Sequence, residues 1–288
     1  MKTVRTIGGL RSLLDSERAT GRTVGLVPTM GYLHDGHLSL MRHARAETDV
    51  LVASIFVNPL QFGADEDLDA YPRDLDRDGR LAGAAGVDVL FVPGVDEMYP
   101  TPVLTTVAVA QVSEPLEGTA RPHHFAGVAT VVAKLFAIAG PCRAYFGEKD
   151  FQQLAVVRRM ARDLSFPVEV VGCPTVRDVD GLALSSRNSY LTAEEREAAP
   201  VVYRALRAGA AAILAGERDP AAVRTLMSQI IEAEPLAKLD YAELVDADSF
   251  RVPDPLTGNL RLLAAVRFGR ARLIDNVGVT VSAPTQGG

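Results

Sequence analysis

The chain has 288 residues, of which 48% are hydrophobic and 23% are charged, and its formal net charge is −6. This composition is that of an ordinary globular protein of about two domains. The acidic balance argues against a protein that grips nucleic acid, which needs clustered Lys and Arg, and no stretch reaches the roughly 18 apolar residues of a membrane span. Cys142 and Cys173 form no disulfide or zinc pattern and are expected to be buried thiols. Because the N-terminus also lacks a signal-peptide pattern, we expect a cytoplasmic protein.

The first part of the chain alternates strand-like and helix-like patterns. Helical patterns such as HLSLMRHARAET (37–48) and DFQQLAVVRRMARDL (150–164) separate short apolar runs. The predicted strands are TVGLVPT (23–29), VLVASIFVN (50–58), VDVLFVP (87–93), RAYFG (143–147) and PVEVVGCPTV (167–176). Strands that alternate with helices predict βαβ units and an α/β fold with a mostly parallel sheet.

After about residue 176 the pattern changes to helices followed by strands. Thr192 and Glu195 have the spacing of a capping box at a helix start. The Ala-rich helix that follows is interrupted at Pro200, and a second helix covers about 220–233. Two long strand patterns come next, and the tail SAPTQGG (282–288) is expected to fray. The sequence therefore predicts two domains, residues 1–175 and a smaller α+β domain at 176–288.

Polar side chains concentrate just after the predicted strands. PTMGYLHDGH follows the first strand, NPLQF the second, GEKDFQQ the fourth and RDVDGLALSSRN the fifth. Ligands of open parallel sheets bind beyond the carboxyl ends of the strands, near the switch in strand order. This distribution therefore predicts a binding site at that edge.

His34 and His37 lie three residues apart at the start of a predicted helix, with Gly36 between them. A helix N-terminus attracts phosphate, and two imidazoles on one face can donate to phosphate oxygens. Gly36 would let the ligand approach because it has no Cβ. A zinc site would need i, i+4 spacing and a third ligand, which are not evident. Ordinary loop histidines remain the alternative.

Two further stretches carry groups suited to a nucleotide and a small acid. Lys149 is a point charge for a phosphoryl group, Asp150 could accept from ribose hydroxyls, and Gly147 allows close approach. Gln61 and Gln153 suit hydroxyls and a carboxylate, and Met30 supplies an apolar wall. Ser185, Ser186 and Arg187 could close over a triphosphate. The alternatives are a solvated Lys–Asp pair and a surface turn.

In combination these motifs resemble the pantoate–β-alanine ligase family of H-x-G-H nucleotidyltransferases. The matching motifs are PTMGYLHDGHLSL, FVNPLQF, YPRDLDRD, EGTARPHHFAGVATVVAKLF, FGEKDFQQL and LSSRN, in the family's order over residues 28–188. Other nucleotidyltransferases share the H-x-G-H and the Ser/Arg loop but lack the glutamine-bearing pair. The resemblance implies a Rossmann-like parallel sheet with helices on both faces and a smaller C-terminal α+β lid domain.

The resemblance also implies a reaction and the residues that serve it. Pantoate and Mg-ATP would give pantoyl adenylate and pyrophosphate, and β-alanine would then release AMP and form pantothenate. His34, His37, Lys149 and Arg187 would be catalytic. The implied ATP contacts are Met30, His37, Gly147, Lys149, Asp150, Val176, Leu184, Ser185, Ser186 and Arg187. Met30, Gln61 and Gln153 would bind pantoate, and Asn58, Glu117 and Arg121 would brace the site, the last two as an ion pair. The family's dimers imply a homodimer through the first domain.

Three positions depart from the family pattern. His123 stands where Gly is usual, beside the expected His124, and Leu184 replaces a common Met. In the magnesium-associated stretch Arg77 separates Asp76 from Asp78, so either carboxylate is a candidate to meet Mg²⁺.

Two rival functions stay open. One is a nucleotidyltransferase that activates another small hydroxy acid, and the other is a nucleotide-binding regulator without turnover.

Overall fold

The protein is described from a computed structural model covering residues 1–63, 68 and 71–281, so the predicted frayed tail lies outside the described residues. The chain divides into two units. Met1–Glu148 and Gln152–Pro174 form the first, and Lys149–Phe151 joins the chain from Thr175 onward in the second. The prediction placed residues 149–151 in the first domain. They group with the second unit because the Phe151 ring stacks on Phe250 there, with centroids 6.0 Å apart.

Six strands of the first unit make one parallel sheet. They are β1 (Lys2–Val4), β2 (Val24–Thr29), β3 (Val50–Ile55), β4 (Val89–Phe91), β5 (Cys142–Gly147) and β6 (Val168–Cys173). Their spatial order is β1-β4-β3-β2-β5-β6. The chain runs from β2 toward one edge and from β5 toward the other, so strand order switches between β2 and β5. The predicted α/β fold with a parallel sheet is confirmed.

The helices of this unit are α1 (Ile7–Ala19), α2 (Asp35–Glu47), α3 (Leu75–Ala84), α4 (Val95–Met98), α5 (Glu117–Ala120), α6 (His124–Ala139) and α7 (Phe151–Asp163), which begins on the segment grouped with the second unit. Helices cover both faces of the sheet, as consecutive residues of β5 show. Tyr145 lies against His43 of α2, with ring centroids 5.9 Å apart, and Phe146 lies against Phe136 of α6, at 6.3 Å. Neighbouring side chains of a strand point to opposite faces, so α2 and α6 lie on opposite sides.

Burial follows the composition of the elements. β3 is apolar except for Ser54, and its first five residues are buried, as expected for a strand covered on both faces. Helix α6 is apolar nearly all round and buries most of its residues. Cys173 is buried as predicted, whereas Cys142 is partly exposed because it opens β5 at the border of the core. Among the described residues no helix is long and apolar enough to cross a bilayer.

The second unit is a smaller α+β assembly. It contains α8 (Ala193–Ala198), α9 (Val201–Leu214), α10 (Pro220–Glu232), β7 (Lys238–Asp246), β8 (Gly258–Phe268) and β9 (Ala271–Val281). The three strands form an antiparallel sheet in the order β7-β8-β9. The predicted capping box is present, because Thr192 accepts from Glu195 N and Glu195 accepts from Thr192 N. The predicted interruption at Pro200 separates α8 from α9.

Gly127 allows α6 to approach the short 3₁₀ turn at Pro59–Gln61 very closely. A Cβ on Gly127 would lie 2.1 Å from the carbonyl oxygen of Leu60 and 2.6 Å from the Cα of Gln61. These are backbone atoms, which cannot swing aside as a side chain can. The turn and the helix can therefore pack this closely only because residue 127 has no side chain.

We expect Gly127→Ala to lower the free energy of unfolding by about 1–3 kcal/mol, the usual range for overpacking. The matched control is Gly83→Ala in α3, where an added Cβ would meet nothing within 4 Å. That change should raise stability by about 0.5–1 kcal/mol because Ala favours a helix. Urea denaturation of both variants measures the difference, and equal effects would contradict the packing argument.

Candidate active site

The loop that follows β2 carries both predicted histidines to the start of α2. His34 is the N-cap residue of that helix, and its Nδ1 accepts the backbone N–H of Gly36 at 3.2 Å. His37 Nδ1 lies 3.4 Å from the backbone N of His34, which donates to it. The two rings are 4.1 Å apart between centroids. The histidines thus form a reciprocal cap, the arrangement in which Ser or Thr and Glu are the usual partners.

This cap sets the position of the imidazole protons. A neutral imidazole nitrogen that accepts a hydrogen bond has no proton, so the other nitrogen carries it. Nδ1 accepts in both rings, which assigns the proton to Nε2 in each. Two Nε2–H donors at a helix N-terminus are suited to an anion. The capping hydrogen bonds therefore orient both rings, and phosphate binding by the pair stays a prediction.

Gly36 has a role that the sequence did not reveal. A Cβ there would lie 2.9 Å from Cε1 and 3.0 Å from Nδ1 of His34. The missing side chain makes room for the capping ring itself. The predicted role of Gly36 in ligand approach stays a prediction.

A hydrogen-bond network surrounds the predicted pantoate residue Gln61, which is buried. Its Nε2 lies 2.9 Å from the Met30 sulfur, and its Oε1 accepts from Asn58 Nδ2 at 3.2 Å. Asn58 is held in turn by the Gly127 carbonyl at 3.0 Å and by the Tyr99 hydroxyl at 2.9 Å. Burial raises the pKa of Tyr99 to about 12, so the phenol keeps the proton that it donates to Asn58.

The backbone of Gln61 is also held, by His124 of α6. His124 Nδ1 lies 3.1 Å from the Gln61 carbonyl oxygen, and its Nε2 lies 3.3 Å from Arg121 Nη1. A carbonyl can only accept, so Nδ1 carries the proton and Nε2 accepts from the guanidinium. Arg121 thus reaches the Gln61 backbone through His124 and also directly, with Nη2 3.5 Å from the same carbonyl oxygen. Its predicted ion pair with the buried Glu117 stays a prediction.

The neighbouring residues Gln152 and Gln153 of α7 have different surroundings. Gln152 is buried, donates to the carbonyls of Val112 and Pro115 at 2.9 and 2.7 Å, and accepts from Glu117 N at 3.1 Å. Gln153 is half-buried. Gln152 therefore holds the segment that leads to α5. The sequence analysis assigned Gln153 to pantoate and gave Gln152 no role, so the structural task of Gln152 is a finding of the structure.

Three of the other predicted phosphate-binding residues line one cavity of the second unit, namely Lys149, Ser185 and Arg187, together with Leu182, Tyr203 and Asp275 among others. Ser186 is not among its lining residues. Lys149 Nζ lies 3.4 Å from Asp150 Oδ1, and the Lys149 carbonyl accepts from Asn276 Nδ2 at 2.8 Å. Ser185 caps the 3₁₀ turn Ser186–Tyr190 by accepting from Arg187 N.

Two predicted adenine residues and an unpredicted ion pair lie in the same unit. The Leu184 backbone N donates to the Val176 carbonyl at 3.0 Å, so the two residues are adjacent. Arg177 makes two hydrogen bonds to the Asp275 carboxylate, at 2.6 and 2.9 Å, and its guanidinium lies 4.0 Å above the Tyr203 ring. Asp275 lines the cavity, so this pair braces its wall.

Comparison with known proteins decides the family. The family model for pantoate–β-alanine ligase matches residues 2–278. The chain belongs to the pantoate–β-alanine ligase family. It is 55% identical to a pantothenate synthetase of Sinorhizobium medicae over 96% of this chain and 95% of that one. It is 52% identical to the pantothenate synthetase of Moorella thermoacetica, and that match covers 98% of this chain and 100% of the relative.

Solved structures of the family agree with the fold. The crystal structure of pantothenate synthetase from Thermus thermophilus superposes with a TM-score of 0.91 at 52% identity, covering 97% of this chain and all of that one. Pantoate–β-alanine ligase from Francisella tularensis, in complex with β,γ-ATP and β-alanine, gives a TM-score of 0.78 at 34% identity, covering 96% and 97%. These matches confirm the Rossmann-like fold class and the ligase assignment.

The two carboxylates predicted to meet Mg²⁺ in this ligase differ sharply. Asp78 is buried, and its two oxygens accept the backbone N–H groups of Tyr32 and Leu33 at 2.7 and 2.8 Å. A carboxylate so enclosed and engaged does not fit a metal that keeps most of its water. Asp76 is exposed in the first turn of α3. The described residues contain no cluster of three or more carboxylates, histidines or cysteines that could hold a metal, so a magnesium role for Asp76 stays a prediction.

The three residues that depart from the family pattern lie in different parts of the structure. His123 is exposed at the N-cap of α6, one residue before the His124 that holds Gln61. Leu184 keeps the backbone bond to Val176 that a Met would also make. Arg77 lies beside Asp78, with Nη1 3.6 Å from Oδ1. Arg77 therefore contacts the Asp78 carboxylate, and its guanidinium lies 5.3 Å above the ring of Tyr32 in the loop that Asp78 contacts.

Substitution of His34 separates its capping role from its imidazole chemistry. We expect His34→Ala to lower the free energy of unfolding by about 1 kcal/mol because the cap is lost. His34→Asn should lower the free energy of unfolding by only about 0.3 kcal/mol, since Asn is a strong N-cap residue. Both variants should lose activity because neither has Nε2. Urea denaturation with a ligase assay measures both effects, and equal destabilisation by Ala and Asn would contradict the capping role.

Proposed function

We propose that this chain catalyses its family's reaction, the ATP-dependent condensation of pantoate with β-alanine, through a pantoyl-adenylate intermediate. The observation that carries the proposal is the reciprocal histidine cap of α2, which assigns a proton to Nε2 of both His34 and His37. A relative from Francisella tularensis has been crystallised with an ATP analogue and β-alanine. That complex supports ATP and β-alanine as small-molecule substrates here.

The reaction has two steps. A pantoate carboxylate oxygen attacks the α-phosphorus of ATP, and the bond from that phosphorus to the bridging oxygen breaks and releases pyrophosphate. The β-alanine amine then attacks the acyl carbon, the bond from that carbon to the AMP oxygen breaks, and the amine loses a proton. The products are pantothenate, AMP and pyrophosphate. No protein nucleophile is needed, so catalysis depends on positioning and on stabilisation of charge.

The phosphate-binding groups come from both units of the chain. His34 and His37 donate from Nε2 to phosphate oxygens, and the donation strengthens as negative charge builds in the transition state. Lys149 contacts the α-phosphate. Ser185, Ser186 and Arg187, which belong to the second unit, hold the remaining phosphates. The cavity that Lys149, Ser185 and Arg187 line supports this grouping.

The other substrate contacts are those that the resemblance to the family implies. Gly147 and Asp150 contact the ribose, and the backbone pair Val176 and Leu184 lies against the adenine. Gln61 and Gln153 bind the pantoate hydroxyls and carboxylate, and Met30 packs on its apolar part. The Asn58 amide held by Tyr99 fixes the Gln61 amide, and His124 fixes its backbone. A site closed to water would also protect the adenylate from hydrolysis.

Magnesium enters the proposal as the companion of ATP. Mg²⁺ usually keeps several waters and takes few protein ligands, so one carboxylate of this chain would be enough to hold it beside the phosphates. It would screen the triphosphate charge, with Asp76 as the accessible carboxylate. We place the enzyme in the cytoplasm, where ATP is available.

Exchange of pyrophosphate into ATP tests the first step. We expect exchange that depends on pantoate and is weak with related hydroxy acids, and His37→Ala should reduce it about 10²–10³-fold because a transition-state donor is lost. The control is His43→Ala on the same helix, where the ring is half exposed and pairs with Glu47. Normal exchange in His37→Ala would refute the role of His37. Exchange only with another acid would identify a different substrate, and ATP binding without exchange would indicate a regulator.

The proposal includes a homodimer formed through the first unit, an expectation that rests on the family. Sedimentation equilibrium of the whole chain should give twice the mass of one chain at micromolar concentration. A single-chain mass over that range would contradict it. Loss of activity on dilution, in parallel with loss of the dimer, would show that the site depends on assembly.

A further inference from the structure

The loop between β2 and α2 has an unusual backbone. Gly31 has φ +84° and Tyr32 has φ +50°, so two consecutive residues are in the left-handed region. A tyrosine adopts that region only when its surroundings hold it there. Leu33 and the capping residue His34 follow directly. Whatever holds this loop therefore also sets where the histidine cap begins.

Asp78 holds the part of the loop next to the cap, while Thr29 Oγ1 accepts the Gly31 N–H before it at 3.2 Å. Its Oδ2 accepts the Tyr32 N–H at 2.7 Å and its Oδ1 accepts the Leu33 N–H at 2.8 Å. A Cβ on Gly31 would lie 3.0 Å from Oδ2 and 3.0 Å from Cγ2 of Ile55, so the loop is packed closely on both sides. One carboxylate thus grips two successive peptide groups, and its side chain is only 2% exposed.

Asp78 is itself held firmly by its helix. It lies in the first turn of α3, where a negative charge is favoured by the helix dipole. Its backbone N donates to the Asp74 carbonyl at 2.9 Å, and the Asp74 side chain caps the helix by accepting from Arg77 N at 3.0 Å. Arg77 also lies 5.3 Å above the Tyr32 ring. Residues 77 and 78 therefore contact both the ring and the backbone of Tyr32.

We infer that Asp78 is a positioning residue of the ligase, which places the histidine pair by clamping the backbone of Tyr32 and Leu33. This inference rests on the proposed function of His34 and His37. It gives Asp78 a structural task in place of the predicted contact with Mg²⁺. Arg77, which interrupts the acidic stretch, supports the same task by balancing the buried charge and covering the Tyr32 ring.

The clamp needs an ionised carboxylate. A carboxylate accepts at both oxygens, whereas an asparagine amide accepts at one oxygen and presents an NH₂ group at the other position. Asp78→Asn keeps the shape but turns one hydrogen bond into a contact between two donors. The loop should then relax, and the His34 N–H should move away from His37 Nδ1.

The test combines kinetics with spectroscopy on the whole protein. In Asp78→Asn, kcat for pantoate-dependent exchange should fall about 10²-fold, the cost of a misplacement near 1 Å, while the half-saturating Mg²⁺ concentration stays unchanged. In ¹⁵N-histidine NMR, His34 and His37 should lose the pure Nε2–H form. Gly31→Ala should reproduce both effects. It disturbs the same loop, because the added Cβ would crowd Asp78 Oδ2 and Ile55, but the protein still has the Asp78 carboxylate as a possible metal ligand. Asp96→Asn, an exposed first-turn residue of α4, is the control and should behave as wild type.

Three results would overturn the inference. One is an unchanged kcat in Asp78→Asn, and another is unchanged histidine tautomers. The third is a tenfold rise in the half-saturating Mg²⁺ concentration with the rate restored at high Mg²⁺, which would identify a metal ligand. If Asp78→Asn does not fold, Gly31→Ala decides in the same assays. Absence of exchange in the wild type would refute the proposed function alone, since the NMR comparison would still test the clamp.

Discussion

The hydrogen bonds from the first backbone N–H groups of α2 to the imidazoles of His34 and His37 are the constraint on which the site depends. A helix start must satisfy these groups, and here it does so with Nδ1 atoms. The same bonds place the protons on Nε2, so the arrangement that satisfies the helix start also provides the two N–H donors that the proposed phosphate binding needs. Gly36 is part of it because a Cβ would occupy the space of the His34 ring.

The side chains that would meet the substrates are held by residues that would not. Asp78 of α3 holds the loop before the histidines, and Asn58, Tyr99 and His124 hold Gln61. In the second unit Asn276 and the Arg177–Asp275 pair hold the segments around Lys149 and the cavity wall. Such supports keep polar groups in place without the large reorganisation that water would need, which is the basis of electrostatic catalysis.

Local patterns predicted some elements well and others not at all. β3 was visible as an apolar run, and the break at Pro200 was visible because proline lacks the N–H that a helix interior needs. The patterns did not identify β1 or α6. β1 is only three residues long, and α6 is apolar nearly all round, so it has no amphipathic period to detect. The motif implied a substrate role for Gln153 and none for Gln152, and only the packing of α7 shows that Gln152 is the buried residue of the two.

The sequence by itself determined the α/β class and the family, and it supplied the candidate substrate residues, because those residues lie in short motifs at the ends of strands. Tertiary structure alone decided what holds them. Asp78 lies more than forty residues from the backbone groups it accepts, and Gly127 lies 66 residues beyond Gln61. Contacts between distant segments leave no local periodicity in a chain. An acidic residue therefore looks the same in sequence whether it faces a metal or a peptide group, and only the folded backbone distinguishes the two.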